Sequence, residues 1–231
     1  MGQPMHAFDG TKVQSIGVGM GENGTKFTTL DGAERDVDEN TLLILNNNEP
    51  VAVAGIMGGL DSEIVGDTDS VVLESANFDG VCVRKTSSRM GLRTDASARY
   101  EKILDPEMTV TAIRRFVKLL KEIDDGAVVV SKLADAYTKK YPEIELFIDK
   151  KYVDRYTGID FSNEQIEETL VSLGFKVTAE NDGFKVIVPS WRSTKDVTIK
   201  ADIIEEITRI FGYDNFEIKT TLSALKPVKA Q

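Results

Sequence analysis

Glycine placement constrains this chain more than any other feature. Residues 50–60 read PVAVAGIMGGL, an apolar run at 51–54 that breaks into Gly55, Gly58 and Gly59. Short β-branched runs punctuated by glycine are the pattern of buried strands that end at a working surface. A residue without Cβ at that point allows positive φ and a close approach of backbone to a ligand. A second run, residues 71–73, ends in Glu74, and a third stretch, GLRTDAS at 91–97, is too small and polar to fill a core. Together they predict a pocket floor and its rim.

With 231 residues, 41% hydrophobic and 29% charged, the chain can bury a core, and its length suits two domains. No apolar run is long enough to span a bilayer and no charged-then-apolar leader is present, so no membrane association is expected and a cytoplasmic location is predicted. A lone cysteine, Cys82, rules out an internal disulfide framework and a CxxC zinc site, and fits a reducing compartment. It reads as a small buried hydrophobe rather than a nucleophile. The net charge of −10 argues against a broad nucleic-acid footprint. Locally, however, Arg84, Lys85, Arg89, Arg93 and Arg99 crowd one segment, which is either a phosphate-contacting patch or a solvated face.

Asn23-Gly24 and Asp31-Gly32 are hairpin dipeptides, and strands at 42–45 and from Val51 follow, so the first fifty residues predict a β-meander. A helix should begin near 77–80 and stop at Gly91. Asp105-Pro106 reads as an N-cap with proline at the first helical position. Val110, Ile113, Val117 and Leu120 then form an apolar stripe. A short strand is expected at 128–130 and a linker at 137–142. From Ile144 the pattern predicts a strand, a helix capped by Asp149, and a second helix opened by the capping box Ser162-Asn163-Glu164-Gln165. A hairpin turned at 181–183 and a last helix over 197–211 complete a winged-helix-like arrangement, a shape that does not by itself show DNA binding. The fold class is thus α+β, a mixed β-sheet with packed helices followed by a small winged-helix-like α+β domain. Trp191 reads as a packing corner.

His6 is the only imidazole, so it is either structural or the sole histidine base. Glu74 follows three apolar residues, so it either points to solvent by strand alternation or is buried with a partner. If buried, it is an acceptor that rewards a ligand hydroxyl, which separates two otherwise similar rings. No GxSxG elbow is present, and covalent catalysis is not expected. Asp202, Glu205 and Glu206 stand at i, i+3 and i+4 with Asp196 entering from the preceding turn. This is either a hard-oxygen site for Mg²⁺ or an acidic helix start favoured by the helix dipole.

The strings GQPMHAFD, AGIMGG, LESANF, GLRTDASARYEK, VPSWR and DIIEEITRIFGYDN resemble the bacterial phenylalanyl-tRNA synthetase β subunit, in that order and over nearly the whole chain. The resemblance implies an editing domain at 1–140, N-terminally truncated because the first motif lies well inside the family's subunit, a winged-helix-like domain at 144–213, and a linker at 214–231. It implies hydrolysis of tyrosine wrongly esterified to tRNA(Phe), with Glu74 accepting the tyrosine hydroxyl and Gly55 and Gly58 shaping the ring slot. His6, Thr94 and Ala96 would border the ester and the tRNA terminus, with His6 positioning more than reacting. It also implies Mg²⁺ at Asp196, Asp202, Glu205 and Glu206, shared with the α subunit, and partnership with that subunit and with tRNA(Phe) but not DNA. ATP would be used by the whole enzyme without binding this piece, and aminoacylation would belong to the α subunit. The alternative is a non-catalytic scaffold that binds tRNA and the partner subunit.

Overall fold

The computed structural model describes residues 2–218 and 220. It divides into two compact units, the first holding Met1–Pro142 with Ser190–Lys195 and the second holding Glu143–Pro189 and residues from Asp196 on.

Strands dominate the start of the first unit: β1 (His6–Asp9), β2 (Gly17–Met20), β3 (Thr25–Thr28), β4 (Glu34–Val37), β5 (Leu42–Asn46), β6 (Glu49–Val53), β7 (Met57–Gly58) and β8 (Val71–Glu74). Three helices follow: α1 (Gly80–Arg89), α2 (Asp95–Tyr100) and α3 (Met108–Ile123). The class is α+β, as the sequence implies. The mixed sheet of the expectation resolves into separate antiparallel ladders, β2-β5-β6-β7, β3-β4 and β1-β8. Both glycine dipeptides form turns around the β3–β4 hairpin, with Gly24 and Gly32 at positive φ. Phe8, Val53, Ile56, Val83 and Tyr100 meet in one core, so β1, the β6–β7 turn, α1 and α2 are fastened to one another by apolar contact. Each such side chain contributes about 2 kcal/mol.

Three local expectations fail here. Helix α3 starts at Met108, not at Pro106. Asp105 is spent on a turn, its Oδ1 accepting from the Glu107 amide at 2.9 Å and its Oδ2 from the Ser190 hydroxyl at 2.7 Å. Residues 128–130 form no strand and are exposed, because β-branched composition alone supplies no ladder partner. Trp191, in α6 (Ser190–Ser193) of the first unit, is more than half exposed rather than a packing corner. Cys82 is half-buried, its thiol near the Asn40 carbonyl.

The second unit is built from β9 (Ile144–Asp149), α4 (Lys150–Thr157), α5 (Asn163–Ser172), β10 (Lys176–Glu180), β11 (Gly183–Val188) and α7 (Lys200–Phe211). Its sheet order is β10-β11-β9, antiparallel throughout. Asp149 caps α4 by accepting from the Tyr152 amide at 2.7 Å, and Gly158 ends that helix in the left-handed region. Ser162 and Gln165 form the capping box of α5. Ile148, Ile166, Leu170, Phe184 and Ile203 fill the core between helices and sheet. Helix α7 begins at Lys200, three residues inside the expected start, and Ile199 and Ile210 lie outside the core that Ile203 and Ile207 enter. A short 3-10 turn, Tyr213–Asn215, follows α7. From residue 221 the linker anticipated for 214–231 lies outside the described residues.

Candidate functional site

Strand β1 pairs antiparallel with β8 so that His6 stands directly opposite Glu74, and Asp9 opposite Val71. Both His6 and Glu74 line one small, open-mouthed cavity. Gly55 and Gly58 from the β6–β7 turn, Ala96 from α2 and the rings of Phe78 and Tyr100 complete the part that matters for chemistry.

The glycines are required by their neighbours. Gly55 has φ +70°, and a Cβ there would lie 3.0 Å from Phe78, 3.1 Å from Tyr100 and 3.1 Å from Val83. At Gly58 a Cβ would strike the His6 ring, 2.5 Å from Cε1 and 2.6 Å from Nε2. The imidazole therefore rests on bare backbone, with Phe8 edge-on at 4.4 Å between ring centroids.

Electrostatics separate the two acidic groups on this ladder. Asp9 receives hydrogen bonds from the Thr11 hydroxyl (2.6 Å), the Thr68 hydroxyl (2.8 Å) and the Thr11 amide (2.8 Å), and is held down to about 2. Glu74 has no such donors. Its Oε2 is buried and without a hydrogen-bond partner among the described residues, and burial pushes its carboxyl up to about 7. Burial also lowers the His6 pKa, so its ring is neutral near pH 7. The Tyr100 hydroxyl is raised by burial and then by the Glu74 charge, and so stays protonated.

A clamp that sequence reasoning missed holds the two strands. The Gln3 side-chain amide donates to the Ala76 carbonyl at 2.6 Å and to the Tyr100 hydroxyl at 3.3 Å. That hydroxyl has the Pro4 and Ala76 carbonyls at 3.1 and 3.2 Å. These bonds tie the approach to β1 to the exit from β8. Tyr100 carries a sequence signal only in hindsight, as the aromatic that ends α2.

Thr94 is not brought into the cavity wall. It caps α2, accepting from the Ser97 amide at 3.1 Å, and its hydroxyl donates to the Ile56 carbonyl at 2.8 Å. It thereby fixes the start of α2, which brings Ala96, two residues on, to the cavity wall.

The acidic set on α7 is arranged otherwise than the shared face expected for it. Asp202 Oδ2 accepts from the amides of Thr198 (2.7 Å) and Ile199 (2.9 Å), which makes it the cap of the helix. Glu206 is buried and paired with Arg209 at 2.6 Å, whereas Glu205 is exposed. Glu206 is turned into the core and held there by Arg209 while Glu205 faces solvent, so the two carboxylates do not converge although their spacing puts them on one broad helix face. Asp196 also has an interaction of its own. Among the described residues no group of three or more His, Cys, Asp or Glu is placed to hold a metal ion, and the four carboxylates alone do not fit Mg²⁺ as they stand.

The chain is thus two compact α+β units, the first of which holds a small open cavity over a glycine turn. Residues 1–125 match the B3/4 domain and residues 146–213 the tRNA synthetase B5 domain, so the chain belongs to the family of phenylalanyl-tRNA synthetase β subunits, of which it carries these two domains. It is 42% identical over 224 residues to the phenylalanine–tRNA ligase β subunit of Clostridium tetani, covering 96% of this chain and 28% of that protein. The corresponding subunit of Clostridium acetobutylicum is 40% identical over 225 residues, with the same coverage of 96% and 28%. The chain therefore spans a little over a quarter of the length of these relatives. A crystal structure of an N-terminal fragment of the Pyrococcus horikoshii β subunit aligns at TM-score 0.49 and 16% identity, over 90% of this chain and 60% of that one. No helix among the described residues is long and apolar enough to cross a membrane.

Proposed function

We propose that the first unit is a proofreading site that hydrolyses tyrosine wrongly esterified to tRNA(Phe). One observation carries this reading: a buried carboxylate oxygen with no hydrogen-bond partner among the described residues, in a cavity that the Phe78 and Tyr100 rings and the Gly55–Gly58 turn line. A tyrosine hydroxyl supplies the missing donor, while phenylalanine leaves the oxygen unpaired and gains nothing from it.

In this reading Gly55 and Gly58 bound the ring slot, and His6 and Ala96 border the ester. Thr94 acts through Ala96 and the Ile56 carbonyl rather than on the ester itself. Neutral His6 can accept a hydrogen bond from water or from a terminal ribose hydroxyl, so water attacks the ester carbonyl without a protein nucleophile. The carboxylic acid leaves as tyrosine and the ribose oxygen recovers a proton.

The chain works within a phenylalanine–tRNA ligase with an α subunit, in the cytoplasm. ATP binding and aminoacylation fall outside this piece. Magnesium is assigned to the α/β assembly alone, where a second chain completes what Asp196, Asp202, Glu205 and Glu206 lack, and no editing step depends on it.

The test is Glu74→Ala in the assembled ligase. Deacylation of tyrosyl-tRNA(Phe) should collapse while phenylalanyl-tRNA(Phe) stays spared. Unchanged proofreading would remove Glu74 from this role and favour a scaffold that binds tRNA and the partner subunit without catalysis.

A further inference from the structure

Helix α1 has no acidic residue, although the chain as a whole carries a net charge of −10. Its buried side is Gly80, Val83, Thr86 and Ser87. The opposite side presents Val81, Arg84, Lys85 and Ser88 at i, i+3, i+4 and i+7, all exposed and on one face. The same residues form one wall of a groove whose far wall is Glu101.

Charge balance leaves this face, which borders the cavity's helix α2, positive. Arg89 on the same helix is held by Asp38 at 2.7 Å, and Arg93 is held by Glu101 at 2.9 Å, which also offsets the acid of the groove wall. Arg84 and Lys85 have no ion-pair or hydrogen-bond partner among the described residues. Two adjacent uncompensated cations, a hydroxyl donor one turn on and a short apolar neighbour suit a run of phosphodiesters.

The groove is joined to the cavity through packing. A Cβ on Gly80 would lie 2.8 Å from the Tyr100 carbonyl and 3.1 Å from that of Glu101, so α1 can seat against α2 only with glycine there. Tyr100 lines the cavity and Glu101 the groove.

We propose that this face of α1 binds the phosphate backbone of RNA, with Arg84 and Lys85 each neutralising a phosphate and Ser88 donating to a third oxygen. The choice of RNA as the polyanion rests on the proofreading reading above. The contacts are to backbone and carry no base specificity.

The test is binding of this chain to a tRNA(Phe) transcript, followed from about 50 to 200 mM salt, where phosphate contacts give a linear fall of log K with log salt. Arg84→Glu with Lys85→Glu should weaken binding by about tenfold or more and reduce the slope by about 1.5, the loss of two phosphate contacts. Arg84→Gln with Lys85→Gln should give a smaller loss in the same direction. Lys132→Glu with Lys139→Glu, an equal charge change on exposed lysines outside α1, should leave the slope in place. Equal losses in the two charge-reversed proteins, an unchanged slope in the α1 variants, or a preference for phosphatidylserine vesicles over RNA would overturn the proposal. Both sites are exposed, so unaltered thermal melts accompany the result. Glu74→Ala should retain the full RNA slope whether or not it abolishes proofreading, which keeps the two readings separable.

Discussion

His6 and Glu74 face each other in register across the β1–β8 ladder, and each bears on the same cavity from a strand of its own. Sixty-eight positions apart in sequence, they form a site only because the ladder is antiparallel and aligned at that residue. Slippage by one residue would turn one of them to the other face.

Glu74 makes stability depend on pH. Its folded pKa, about 7, lies above the ordinary 4.5, so the folded state binds the proton more tightly than the unfolded chain. Stability from this group is therefore complete below pH 4.5 and is lost as pH rises through 7, by about 3 kcal/mol in all. Denaturant melts of the chain and of Glu74→Gln between pH 5 and 8 should diverge, the native protein losing stability relative to the variant as pH rises. Parallel curves would show that Glu74 is solvated.

Gly58→Ala should displace the imidazole, because its new methyl would sit where the His6 ring is. A loss of about 1–3 kcal/mol is expected from this overpacking. A crystal structure of the variant, or its His6 ring resonances, will show whether the ring has moved.

Gln3→Ala should cost about 1–3 kcal/mol by stripping the shortest donor from the Ala76 carbonyl. Tyr100→Phe should cost less, about 1 kcal/mol, since Gln3 still holds that carbonyl. Urea denaturation of the two variants should rank them in that order.

Asp202→Ala should destabilise the second unit by about 1 kcal/mol through loss of the α7 cap, with no metal added. Millimolar Mg²⁺ should leave the melting temperature of the isolated chain unchanged, because Asp202 and Glu206 already have partners. Tight binding by calorimetry would show that the carboxylates rearrange readily around the ion.

Local chemistry was written plainly in places. The capping box at Ser162 and the Asp149 cap form as read, since each depends on residues three positions apart. Asp105-Pro106 carries the same kind of signal, yet Asp105 serves a turn and the distant Ser190 hydroxyl. Tertiary context overrode a local preference worth about 1 kcal/mol. Thr94 was named for the site by resemblance, but its hydroxyl is consumed by a cap and a backbone carbonyl.

What the sequence alone determined was the α+β class, the turns and caps, and the presence of a glycine-edged slot with a carboxylate nearby, because these follow from short-range sterics and hydrogen bonding. Whether Glu74 was a solvated strand end or a buried acceptor was decided only in three dimensions. So were the Gln3–Tyr100 clamp, the seat of His6 on Gly58 and the divergence of Glu205 from Glu206. Each depends on which distant surfaces come together and exclude water, and desolvation is a property of the assembled fold that no local stretch of sequence encodes.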